Sequence, residues 1–202
     1  QLGVPSGYSF LKNVDRDENP GDSFAVDFKI TDFRKTLKKP MDLHLRLTML
    51  NDFSATEVAT ADAAPPVMSL NPDILKFLLV KRIGTSLDSL FTTVLEPYNK
   101  TRYIASMGKA QVRRADGVAL GASEVVKAVR VSLKSGRTDY IVYAVDNTVE
   151  YVVSDDGADI FNFRGFVGVY SVKDGKNVYA YVNDGDRIGN EDNLYTGVAE
   201  YT

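Results

Sequence analysis

One histidine limits the acid–base chemistry open to this sequence. His44 stands in Leu43-His44-Leu45, on the face opposite the leucines and alongside Asp42 and Arg46. It is the sole imidazole available as a base or a metal ligand. A zinc centre would need further imidazole or carboxylate ligands arranged around it, and no such spacing is present. Tyr98, in Glu96-Pro97-Tyr98, offers a phenol that could donate or accept a proton. Equally, Pro97 removes a ladder donor, so the triplet can turn the chain at a sheet edge with the hydroxyl bonding back across the corner.

The basic pairs Lys81-Arg82 and Arg113-Arg114 are the candidates for gripping an anion. A guanidinium donates two parallel hydrogen bonds to a carboxylate or sulfate. Paired cations at strand ends also serve simply to solvate an edge. Acidic clusters lie at Asp15–Asn19, Asp155–Asp159 and Asn183–Asp186. Calcium takes roughly six to eight oxygens, and Asp184 and Asp186 are the residues placed to supply some of them. None of the three clusters follows the helical-hand loop pattern, and hairpin turns account for all of them.

Several chemistries are excluded outright. With no cysteine there are no disulfides, thiol nucleophiles or thiolate-bound metals. Neither a G-x-S-x-G elbow nor a G-K-[ST] phosphate loop occurs. A net charge of −3, with no basic stripe interleaved with aromatics, argues against nucleic acid. No apolar run approaches the roughly 20 residues of a membrane-spanning helix. The 11 tyrosines and 10 phenylalanines mostly alternate within strands, which favours core packing over sugar stacking.

The elements that must position these residues read as strands. Ser23–Ile30 alternates Phe24, Val26, Phe28 and Ile30 with polar neighbours, and Met41–Leu50 alternates Leu43, Leu45, Leu47 and Met49 with Asp42, His44, Arg46 and Thr48. Lys127–Leu133, Tyr140–Ala144, Thr148–Val153, Phe161–Val172 and Asn177–Val182 continue the pattern. Ile74–Arg82 is read as a buried strand, and Ser54–Leu70 as a strand followed by an extended loop. Ser135-Gly136, Asp146-Asn147, Asp156-Gly157, Asp174-Gly175 and Asp184-Gly185 each supply a residue tolerant of positive φ, the punctuation of hairpin turns. The expectation is an all-β, antiparallel β-sandwich forming a single domain over residues 1–202.

The run Leu75–Tyr98 resembles the heparinase II/III-like polysaccharide lyases. It carries a basic strand ending (Lys81-Arg82), a glycine turn (Gly84), an Asp88-Ser89-Leu90-Phe91 strand and a Glu96-Pro97-Tyr98 stop. Tyr8–Asn13, Phe24–Ile30 and Leu43–Leu47 are similar to the strands before that block. Phe166–Tyr170 and Tyr181–Gly185 resemble the closing hairpins. The resemblance implies the C-terminal sandwich of a secreted or cell-surface bacterial lyase, packed on an N-terminal (α/α) toroid. The groove between them would hold an acidic polysaccharide cleaved by β-elimination. In that family the catalytic tyrosine and most amides lie in the toroid, and the sandwich histidines lie in earlier strands that no position here matches. The start at Gln1-Leu2-Gly3, with neither initiator Met nor signal peptide, fits a piece of a longer precursor. The expectation is thus a supporting domain, inactive alone. A free-standing carbohydrate-binding or cell-surface module is the competing reading.

Overall fold

The computed structural model describes residues 10–51, 57–64, 72–191 and 193–197. Tyr8 and Ser9, and most of the loop expected between Ala64 and Pro72, lie outside the described residues. No α-helix occurs among those described, and every strand pairing is antiparallel. The fold class is therefore all-β. The sequence offers no linker and reads as one domain; the chain is nonetheless organised as two compact units, residues 1–102 and 103–202.

The first unit holds two three-stranded sheets. One is ordered β1 (Lys12–Asp17), β4 (Glu57–Ala63), β5 (Leu75–Lys81). The other is ordered β2 (Ser23–Lys29), β3 (Leu43–Leu50), β6 (Thr93–Asn99). The strand expected at Ile74–Arg82 is β5, but it is not buried: Leu75, Lys76, Phe77 and Lys81 are exposed and Leu78, Leu79 and Val80 half-buried. Asp88–Phe91, expected as a strand, is a loop leading into β6. The Arg82 guanidinium donates to the Asp88 carbonyl and the Ser89 hydroxyl, both at 2.8 Å. A side chain thus takes a carbonyl that a strand would give to its neighbour.

The second unit is one nine-stranded sheet. Its order is β13 (Lys176–Asn183), β12 (Val167–Lys173), β9 (Arg137–Ala144), β8 (Val126–Leu133), β7 (Ile104–Arg114), β10 (Tyr151–Asp155), β11 (Ala158–Arg164), β14 (Arg187–Gly189), β15 (Tyr195–Thr196). The sheet folds on itself, so that its two halves share a core, as a sandwich requires. Tyr170 of β12 stacks on Phe161 of β11 at 4.7 Å, and Tyr140 of β9 meets Phe161 at 6.2 Å. Alternation decides which side chains enter: Tyr140, Val142 and Ala144 are buried, while the residues between them face outward. Gly168 sits where the halves come closest. A β-carbon there would lie 2.6 Å from Phe163 Cε2 and 2.9 Å from Val142 Cγ1.

The Asp-Gly turns behave as their chemistry dictates. Asp156-Gly157 (φ 49° and 83°) joins β10 to β11, and Asp174-Gly175 (φ 51° and 72°) joins β12 to β13. Both central residues are left-handed, the two-residue turn whose twist matches a hairpin. Two expected runs are redrawn. Phe161–Val172 is two strands, broken at Gly165-Phe166. Thr148 lies ahead of β10, because Asp146 Oδ1 accepts from the Thr148 N–H and hydroxyl at 3.0 and 2.6 Å and closes a turn.

Candidate functional site

Period-two geometry places Asp27 and Lys29 of β2, His44 and Arg46 of β3, and Glu96 and Tyr98 of β6 on one face of their sheet. The register aligns them in two rows, Lys29–His44–Tyr98 and Asp27–Arg46–Glu96. His44 and Tyr98 are direct cross-strand neighbours, and their rings stack at 4.9 Å with an interplanar angle of 12°.

Asp27 ties the rows together. One carboxylate oxygen lies 2.8 Å from His44 Nδ1, and the other accepts the Tyr98 hydroxyl at 2.7 Å. Arg46 stands 3.5 Å from that second oxygen. Burial pushes the Asp27 carboxyl up, but the Tyr98 and His44 hydrogen bonds, with Arg46, overcome it and hold it below its ordinary value. The Tyr98 phenol moves the other way, raised first by its bond to Asp27. A phenol whose proton is held by a carboxylate is a poor general base near neutrality. His44 Nε2 lies 3.4 Å from Asp42, which Lys29 and His44 together keep below its usual range. Glu96 is 1% exposed and accepts from Arg102 Nε at 2.8 Å. Asp27 with His44 and Tyr98, and Glu96 with Arg102, satisfy one another, while the buried Arg46 Nε has no hydrogen-bond partner among the described residues; the arrangement builds a polar face.

The remaining sequence candidates are dispersed. Lys81 ends β5, 3.9 Å from Glu57, and Arg82 clamps the loop described above. Arg113 belongs to β7 of the second unit and pairs with Asp159 at 2.5 Å. Its neighbour Arg114 pairs with Asp116 and Glu124. Asp184 and Asp186, the two residues weighed as calcium ligands, lie at the turn before β14. Arg164 donates to both Asp186 oxygens at 2.6 Å, so a guanidinium holds the place a cation would take. The Asp186 carboxyl is lowered first by that bond. Asp184, with φ 47°, forms part of the turn before β14. Among the described residues no three acidic or histidine side chains gather as a metal set.

Asp27 was missed as a site residue. It stands in an alternating strand as an ordinary polar position, and only the register of β2 on β3 brings it to His44. A scan against protein-family models, a search of curated proteins and a search of solved structures each find no match to this chain.

Proposed function

We propose that the chain is the sandwich portion of a heparinase II/III-like polysaccharide lyase, supporting a catalytic toroid and walling the groove for an acidic polysaccharide. The observation that carries this reading is the uneven burial of the two units. Among the described residues, the first unit buries Met49, Leu50, Val58, Ala59 and Ala61. It leaves Phe10, Phe33, Ile74, Phe77, Ile83 and Leu95 exposed. The second unit fully buries Tyr151, Tyr170, Phe161, Phe163 and Ile188, although Tyr103, Phe166, Tyr179, Tyr181 and Tyr195 are among the large side chains it too leaves exposed. Large exposed apolar surface marks a face meant to be covered, and the toroid implied by the Leu75–Tyr98 resemblance is the occupant this reading assigns. The mutually satisfied Asp27–His44–Tyr98 cluster supports a positioning role.

The test compares this chain with a longer polypeptide that includes the toroid, on uronate-containing polysaccharides, by the absorbance of unsaturated uronate. Activity in the longer form alone is expected. Activity of this chain alone, abolished by His44→Ala, would overturn the supporting role.

One observation favours a carbohydrate-binding module instead. Tyr179 and Tyr181 lie on one face of edge strand β13, 53% and 45% exposed, and exposed tyrosine rings can stack on sugars. Glycan binding lost in Tyr179→Ala/Tyr181→Ala, with no activity from the longer form, would select that reading.

A further inference from the structure

Each end of the nine-stranded sheet presents an edge, and the two differ. β15 is two residues long, Tyr195–Thr196, and offers little to pair with. β13 runs for eight residues, Lys176–Asn183, and among the described residues it forms a ladder with β12 alone. A strand edge carries unpaired N–H and C=O groups, and folded proteins usually blunt it with lysine, proline, a bulge or an inward charge. β13 has one lysine, at its first residue, and its irregularity of register against β12 falls before Tyr179. From Val178 to Asn183 the sequence is Val-Tyr-Ala-Tyr-Val-Asn, without charge, proline or glycine. Val178, Tyr179 and Tyr181 are 52%, 53% and 45% exposed. The Tyr195 hydroxyl bonds to Asn177 Oδ1 at 3.2 Å, ahead of this stretch.

The edge is also complementary to itself. Laid antiparallel on a second copy about a two-fold axis at Ala180, it sets Tyr179 opposite Tyr181, Val178 opposite Val182 and Lys176 opposite Asp184. The two-fold makes each of these pairs twice. Aromatic, β-branched and opposite-charge pairs are the ones that stabilise an antiparallel ladder. Lys176 and Asp184 are both exposed, and neither enters an ion pair among the described residues. An axis at Tyr181 would instead set Lys176 opposite Asp186, whose two oxygens Arg164 already holds at 2.6 Å.

We propose that β13 is a self-association edge, pairing with β13 of a second copy of this chain in the antiparallel register centred on Ala180. The two opposite charges stand at opposite ends of one edge, which is the pattern an isologous contact requires. The short β15 leaves no comparable edge for a head-to-tail chain of copies. Two edge strands bury less surface than a permanent interface does, so the association is weak and concentration-dependent. The inference goes beyond the lyase reading and does not depend on it.

Sedimentation velocity over a concentration series tests the pairing, and a monomer–dimer equilibrium that stops at the dimer is expected. Lys176→Asp alone sets acid against acid at both ends of the contact, and Asp184→Lys alone sets base against base. Each should weaken dimerisation roughly tenfold or more. An equimolar mixture of the two variants restores opposite charges at both ends, and its heterodimer should recover the wild-type affinity. A misfolded variant would not recover on mixing, and thermal melts of each check its fold directly. A monomer at every concentration, growth beyond the dimer, wild-type dimerisation by either variant alone, or no recovery in the mixture would overturn the proposal. Absence of lyase activity in the longer form leaves this result untouched, so the two readings fail separately.

Discussion

Tyr98 and His44 face each other across β6 and β3 with rings stacked at 4.9 Å, and both bond to the single carboxylate of Asp27. The strand carrying the Glu96-Pro97-Tyr98 triplet is thereby fixed to the strand carrying the only histidine. Two side chains that the sequence offers as separate acid–base candidates form one unit, and Asp27 is its hinge.

That relationship makes the Tyr98 ionisation a reporter of Asp27. The carboxylate raises the phenol first through their hydrogen bond. Asp27→Asn should therefore lower the Tyr98 pKa toward the ordinary tyrosine value near 10. The check is a pH titration of labelled tyrosine ring carbons by NMR, with Tyr98→Phe assigning the signal. A Tyr98 titration unmoved by Asp27→Asn would show that the 2.7 Å bond is not formed in solution.

Stability should fall on both sides of neutrality, for opposite reasons. Asp27 and Asp186 have folded pKa values below ordinary. Their contribution is present above the unfolded carboxylate value and is lost as pH falls through the folded one, so melting temperature should begin to drop at about pH 4. Tyr140 is raised to about 12, by burial and then by its bond to Asp155. Its contribution is complete below the unfolded tyrosine value and is lost as pH rises from about 10 toward 12. Thermal melts from pH 3 to 11 test both limbs. A flat alkaline limb would count against the Tyr140–Asp155 bond of 3.1 Å.

Arg102 supports a carboxylate removed from water. Glu96 is 1% exposed, with Arg102 Nε 2.8 Å away. Arg102→Ala removes one charged partner and should destabilise the first unit by about 1.5–3 kcal/mol. Adding Glu96→Gln should recover part of the loss, since no buried charge is then left short of a partner. Urea unfolding of the two variants measures this, and an additive double mutant would contradict the coupling.

The parts of the fold legible in the sequence are those written by local alternation. β2, β3 and β13 follow period two, and the Asp-Gly turns sit where the left-handed backbone demands them. β7 was not legible. Ile104–Arg114 is the longest strand, yet Ala105, Ser106, Gly108 and Lys109 break its apolar rhythm. Pairing with β8 on one side and β10 on the other forms it, an instance of tertiary context overriding propensity. The candidate site was half legible for a similar reason. His44 and Tyr98 could be picked by residue type, but Asp27 and their contact depend on register across three strands.

Gly168 tests how closely the two halves of the second unit meet. A β-carbon there would lie 2.6 and 2.7 Å from two Phe163 ring carbons and 2.9 Å from Val142. Phe163 and Val142 are both fully buried, so neither can swing into solvent. The backbone at Gly168 is ordinary strand, which makes the expected effect of Gly168→Ala one of overpacking, about 1–3 kcal/mol of destabilisation by urea unfolding. Phe163→Leu alone should also destabilise, because it thins the ring cluster in the core. The two together should cost less than their sum, since the smaller side chain makes room for the methyl group. Additivity would mean that β11 and β12 do not meet at this point and that the second unit is more open than a sandwich.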